Sequence, residues 1–392
     1  MPIGNLMFRN LLLSRALRSI GLVFISIASP LYLKEIGFSP LLIGLTFSGT
    51  FAYTAIMSVS LGMLGDRKGY KKSLIIAEGL STLGVLLLLI SPSSLITALG
   101  IIFAGITGGV SGLRGLFSPG LTALIVSNWR DETERVKKMG ALASVSSISS
   151  MGGSLMLSLT NYLPFGKIGN YKFLFFLSFL MLLTSFLLII PIREERRPPK
   201  GSKIMRKSSL KYLIKVITAN SIGSLGVGMS VPFLSLFFSL YYHAKNTEIG
   251  EVFTLNFALS SLGSYLATKI RGNTLNFASF TRIINGLTIT LIAFSPWFTL
   301  SAFIFALRGL SMGFGAPNRT AINVRGISSE DYGTASSLQS LTSRIANMSS
   351  GLGGYLMDLS VPLPLEIGGI LQALSGVLYL KLFSEKREKY NS

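Results

Sequence analysis

The sequence predicts an all-α integral membrane protein, twelve transmembrane helices built as two related bundles of six. Three observations carry that prediction. Only 13% of the 392 residues are charged, against 49% hydrophobic, where a soluble domain carries about a quarter charged residues. Apolar runs such as 80–104 and 173–192 contain no ionisable side chain and have the ~20-residue length that crosses the hydrocarbon core as a helix. Finally, short sequence features recur in order between the two halves at a nearly constant offset.

Taken along the chain, apolar runs bounded by charge and by Gly or Pro place spans at 7–33, 40–64, 73–91, 95–126, 138–162 and 171–192, then at 212–239, 249–268, 276–296, 299–324, 333–358 and 363–383. Spans four and ten exceed what a bilayer needs and are expected to tilt or to project into the cytoplasm. Lysine and arginine concentrate in alternate loops, leaving only Lys34, Lys167, Lys172 and Lys245 in the others. The positive-inside rule then puts both termini in the cytoplasm of a multi-pass plasma-membrane protein.

The longest polar stretch, REERRPPKGSKIMRKSSLK at 193–211, carries Pro198-Pro199 and too much charge to leave water. It is expected to be a cytoplasmic linker between bundles at 1–192 and 212–392. Ser19-Ile20-Gly21 recurs as Ser221-Ile222-Gly223 and Pro30 as Pro232, both at an offset of 202. Ser91-Pro92 recurs as Ser295-Pro296 at 204, and Pro119 as Pro317 at 198. Together these support a duplicated six-helix unit with parallel repeats.

Several functions are excluded or disfavoured by what the chain lacks. It has no cysteine and one histidine, His243, so disulfides, thiolate nucleophiles and Cys- or His-based metal centres are not expected. No catalytic constellation, metal site or cofactor is anticipated, and no Walker-type sequence for ATP hydrolysis is present. The first apolar stretch is too long for a cleavable signal peptide and lacks a small-residue cleavage site. A net charge of +20 invites a nucleic-acid reading. The basic residues, however, sit in short clusters between apolar spans, so the partner is the lipid bilayer and not a nucleic acid.

The loop after span two reads Gly62-Met63-Leu64-Gly65-Asp66-Arg67-Lys68-Gly69-Tyr70-Lys71-Lys72. It resembles the signature of the major facilitator superfamily, G-x3-D-[RK]-x-G-x-[RK]-[RK], with every specified position filled and in the family's location between spans two and three. Gly62 permits close helix contact and Gly69 a turn with free φ. Asp66 can accept hydrogen bonds from a helix N-terminus or pair with a cation, and Arg67, Lys71 and Lys72 hold the loop in the cytoplasm. The resemblance implies the family's fold and a secondary transporter working by alternating access. It also implies that Asp66 locks the two halves near the start of span eleven when the protein is open outward, with Arg67 pairing to Asp131 or Glu134. Two departures stand out. The equivalent loop of the second half, Lys269-Ile270-Arg271-Gly272-Asn273, has no acid matching Asp66, and span five carries Met151-Gly152-Gly153-Ser154 in place of the Gly-Pro motif frequent in antiporters.

Ionisable residues within spans face the bundle interior or an aqueous cavity. Here Arg15, Arg18, Arg114, Arg282, Arg308, Arg319 and Arg344 lie in spans, with Glu78 the single deep acid. Arg15, Arg282 and Arg319 fall near a cytoplasmic end, where snorkelling accounts for them. Arg18 and Arg308 lie near mid-membrane at a 1.5 Å rise per residue. Ser111, Arg114 and Ser118 share one face of span four, and Arg308, Ser311 and Asn318 one face of span ten. Asn220 on span seven, with Ser224, completes a candidate ring. The excess of arginine favours a small organic anion as solute, since a carboxylate or phosphate neutralises guanidinium groups bidentately. Proton-coupled efflux of drugs or metabolites is the alternative, with Glu78 as proton carrier and equally as a structural partner for an arginine. A monomer is expected, with the coupling ion left open.

Overall fold

A computed structural model describes residues 3–91, 93–106, 116, 120–121, 124–125, 128–129, 131–195, 205–270, 272–328 and 331–384. Among the described residues every regular element is a helix and none is a strand, as a bilayer demands of backbone whose polar groups must be satisfied within the segment. Helices α1 (Ile3–Glu35), α2 (Pro40–Lys68), α3 (Tyr70–Ile90), α4 (Ser94–Ala104), α5 (Glu132–Ser158) and α6 (Gly166–Ile189) form the first half. Then come α7 (Lys207–Ser230), α8 (Leu234–Tyr241), α9 (Asn246–Lys269), α10 (Thr274–Phe294) and α11 (Phe298–Val324), followed by α12 (Tyr332–Asn347), α13 (Ser350–Leu359) and α14 (Leu363–Ser384). Nine described helical stretches are long and apolar enough to cross a membrane.

Spans seven and eleven are each broken, and for nameable reasons. Pro232, which has no N–H, turns the chain into a 3-10 turn at Val231–Phe233 between α7 and α8. The span-eleven helix stops at Asn347 and restarts at Ser350. The intervening Ser349 hydroxyl donates to the Leu225 carbonyl of α7 at 2.7 Å, so the break is anchored on a neighbour. Inside α11, Pro317 cannot donate to the Gly313 carbonyl, and the Ser264 hydroxyl of α9 supplies that hydrogen bond at 3.2 Å. Span four is described as a helix over Ser94–Ala104, capped by the Ser93 side chain on the Ile96 N–H.

The chain divides into two compact units. Unit 1 comprises Met1–Phe38, Gly49–Gly201 and Lys245–Thr254; unit 2 comprises Ser39–Ser48, Ser202–Ala244 and Leu255–Ser392. Within unit 1, α1 packs on α5 and α6, and α3 on α4 and α6. Its core includes Phe24 and Tyr32 against Phe175, with ring centroids 5.6 and 5.1 Å apart. At one end of it Leu11, Leu74, Trp129, Leu142 and Ile189 cluster, and the Lys138 ammonium lies 4.2 Å above the Phe8 ring and 4.7 Å above that of Trp129.

Unit 2 repeats the same packing, with α7 on α12 and α14, and α10 on α11 and α14. The recurrent glycines occupy matching places. Gly21 of α1 lies against Ser178 of α6, and Gly223 of α7 against Ser375 of α14. Gly309 and Gly313 of α11 lie directly against the backbone of α9 at Asn256 and Ser260, the close approach that small residues permit.

Candidate functional site

The signature loop is organised by a residue that the sequence did not flag. Gly69 separates α2 from α3 with φ of 102°, in the left-handed region. The Glu194 carboxylate, just after α6, accepts the Tyr70 and Lys71 backbone N–H groups at 2.8 and 2.9 Å. It thereby satisfies two orphan donors at the start of α3 and sets a negative charge at the positive end of that helix. A side chain at position 69 would have its Cβ 2.7 Å from the Glu194 carboxylate. Asp66, exposed at the end of α2, accepts the Tyr70 hydroxyl at 2.6 Å. Gly62 lies within α2, and Lys71 and Lys72 open α3.

The expected pairing of Arg67 with Asp131 or Glu134 is not formed. Asp131 instead caps α5 by accepting the Glu134 N–H at 2.8 Å, and Glu134 pairs with Lys138 at 3.3 Å, one turn along its own helix. Among the described residues Arg67 enters no ion pair.

Deeper in unit 1, Glu78 of α3 takes both arginines of α1. Arg15 Nη2 donates to Glu78 Oε1 at 2.9 Å, Arg18 Nη1 donates to Oε2, and Arg18 Nη2 reaches Ser81 Oγ at 3.3 Å. The three side chains are 1–3% exposed, so Arg15 does not snorkel; its charge is needed for the pair. Arg18, expected at a solute site, is committed to Glu78, and Glu78 has the surroundings of a structural counter-ion. Arg114, Ser111 and Ser118 lie outside the described residues.

Unit 2 builds a different site at the matching position. The offset of 204 that relates Ser91-Pro92 to Ser295-Pro296 carries Glu78 onto Arg282, and the offset of 202 carries Arg18 onto Asn220. The acid of unit 1 is thus replaced by a cation, and its arginine partner by an amide. Arg282 does not snorkel. Its guanidinium lies 4.3 Å from the Tyr379 ring centroid and donates to Asn220 Oδ1, Ser375 Oγ and the Ala219 carbonyl. The Tyr379 hydroxyl, with one proton to give, lies within hydrogen-bond reach of both Asn220 Oδ1, at 2.8 Å, and Asn323 Oδ1. Arg282 Nε keeps no partner despite being buried.

This network borders a cavity of about 380 Å³, within the range of small-ligand sites. Asn220 and Ser224 of α7, Arg282 of α10, and Thr320, Asn323 and Val324 of α11 line it. Ser336, Gln339, Ser340 and Ser343 of α12 complete the wall. Among these described lining residues one is cationic, none is acidic and all but Val324 are polar.

Of the candidates read from sequence, Asn220 and Ser224 reach this cavity; Arg308, Ser311 and Asn318 do not. Ser311 donates to the Thr281 carbonyl of α10 at 3.3 Å and Asn318 to the Phe314 carbonyl of its own helix at 2.9 Å. Arg308 is 1% exposed, with an unpartnered Nε. Arg319 is half-buried; its Nη2 reaches the Met312 carbonyl at 3.4 Å while Nη1 has no partner. Helical spacing on α11 selected the stripe through Arg308, whereas the cavity is walled by the following turns at 320–324. The signal that points to Arg282 is the internal repeat, which sets a cation where the first half has its acid.

Comparison with known proteins agrees with this architecture. The sequence profile of the Major Facilitator Superfamily matches residues 11–222. Multidrug resistance protein MdtG of Escherichia coli is 25% identical over 220 residues, covering 53% of this chain and 51% of that protein. The match therefore spans about half the length of the curated relatives. Among solved structures, an auto-inhibited POT family peptide transporter superposes with a TM-score of 0.77 at 10% identity, covering 97% of both chains. The nucleoside transporter NupG gives 0.70 at 12% identity, covering 97% of this chain and 99% of that one. At such identities the likeness is one of fold. The chain belongs to the major facilitator superfamily of membrane-spanning transporters.

Proposed function

We propose that the chain is a secondary active transporter that carries a small organic anion across the plasma membrane by alternating access. The cavity bordered by Arg282 carries this reading: one guanidinium, three amide- or hydroxyl-bearing helices around it and no acidic lining residue among those described. A carboxylate or phosphate entering there meets the Arg282 guanidinium together with hydroxyl and amide donors on several sides. Arg282 and Asn220 are the contacts assigned to the anion, while Arg18 serves the buried pair with Glu78. The protein works as a monomer with both termini cytoplasmic, a placement supported by the clustering of lysine and arginine in alternate loops. No residue is given a catalytic role.

Proton-coupled export of drugs or metabolites is the second reading, favoured by the likeness to MdtG. Counterflow into proteoliposomes, with panels of organic anions, cations and neutral solutes, separates the two. Exchange confined to anions supports the first reading; exchange confined to cationic or neutral solutes supports the second.

A further inference from the structure

In unit 1 the buried positive charge of Arg15 and Arg18 is answered by Glu78. In unit 2 Arg282, Arg308 and Arg319 share no carboxylate with any described residue. Arg319 lies within electrostatic reach of both other guanidinium groups. Arg308 Nε, Arg319 Nη1 and Arg282 Nε are buried donors without partners. Such a group of cations in a low-dielectric bundle is costly unless negative charge reaches it. The position that supplies that charge in the first half is itself occupied by Arg282.

We infer that the cavity beside Arg282 selects a small dianion, carried by carboxylate or phosphate groups, over a monoanion of the same size. The inference rests on the anion reading proposed above and sharpens it. Arg282 makes the direct contact at the cavity wall. Arg319, next to the lining residue Thr320 on α11, and Arg308 do not line the cavity; acting by charge alone, they reward the second negative charge of the ligand without touching it. The side-chain amides of Asn220, Asn323 and Gln339 fix the ligand but are neutral, and so do not distinguish one charge from two.

The test uses the purified full-length protein in nanodiscs at about pH 8, where the carboxyl groups are ionised. Calorimetric affinities are compared for succinate, its monoanionic isostere succinamate, neutral succinamide, and glycerol phosphate as the phosphate-borne dianion. The expected result is that at least one dianion binds tenfold or more tightly than succinamate. Arg319→Gln should collapse that ratio towards one, while Arg319→Lys, which keeps the charge, should preserve it. Arg282→Gln should weaken succinate and succinamate together. Equal affinity for both dianions and succinamate in the wild type overturns the inference and leaves the anion reading standing. A dianion preference that survives Arg319→Gln overturns the role given to the charge of Arg319. Succinamide binding as tightly as the anions, or no anion binding at all, overturns both readings.

Discussion

Gly69 and Glu194 explain each other. The turn between α2 and α3 needs φ of 102°, and the space where a side chain would start is filled by the carboxylate that caps α3. Charge-assisted hydrogen bonds of this kind contribute about 1.5–3 kcal/mol. Glu194→Gln should therefore raise amide hydrogen exchange at Tyr70 and Lys71 about tenfold or more, one factor of ten per 1.4 kcal/mol. Unchanged exchange at those two amides would remove Glu194 from the turn.

Asp331 makes a similar clasp at the start of α7. Its carboxylate accepts the Ser328 hydroxyl at 2.7 Å and the Arg206 backbone N–H at 3.3 Å. The Ser328 hydroxyl first, then that of Ser209, hold its pKa below the ordinary carboxylate value. A depressed folded pKa contributes stability above the unfolded value of about 3.9 and loses it as pH falls through the lower folded value. Wild type should melt above Asp331→Asn at neutral pH, with the gap closing below about pH 4. A gap that persists unchanged at pH 3 would contradict this. Neither clasp is written locally, because Glu194 reaches back across the whole first bundle, and Asp331 serves a helix that begins at position 207.

At the scale of elements, α1 and α3 are joined by one carboxylate between two arginines. Breaking a buried pair by removing one partner costs about 3–5 kcal/mol, because it strands the other charge. Glu78→Gln should accordingly lower the melting temperature sharply, with Glu78→Asp intermediate. If Glu78→Gln melts with the wild type yet abolishes accumulation driven by a pH gradient, Glu78 is a proton carrier instead. The existence of these helices was legible in the sequence, since apolar length alone sets a span. Their interruptions were only partly so. Pro232 announces the turn between α7 and α8, but nothing in the polar run around Met348 and Ser349 announces a break, because its cause is a hydrogen bond to Leu225 on another helix. Arginine depth, measured along single spans, singled out Arg18 and Arg308, and both are buried. It could not reveal that Arg18 is spoken for by Glu78, or that Arg282 leans on Tyr379 almost a hundred residues away.

For the whole molecule, the internal repeat held more information than the recurring glycines and prolines suggested. Each unit packs its helices in the same pairs, yet the matching buried positions carry opposite charge, Glu78 in one and Arg282 in the other. The signature loop identifies the family, and the family's fold is shared by transporters of peptides and nucleosides alike; neither names a solute. That choice rests on the chemistry of the cavity in unit 2. The direct measurement is counterflow of radiolabelled organic anions into proteoliposomes holding wild type or Arg282→Gln, with cationic and neutral solutes alongside. The account predicts anion exchange by the wild type and its loss, tenfold or more, in a folded Arg282→Gln protein. Wild-type exchange restricted to neutral or cationic solutes, or anion exchange undiminished in Arg282→Gln, would contradict it.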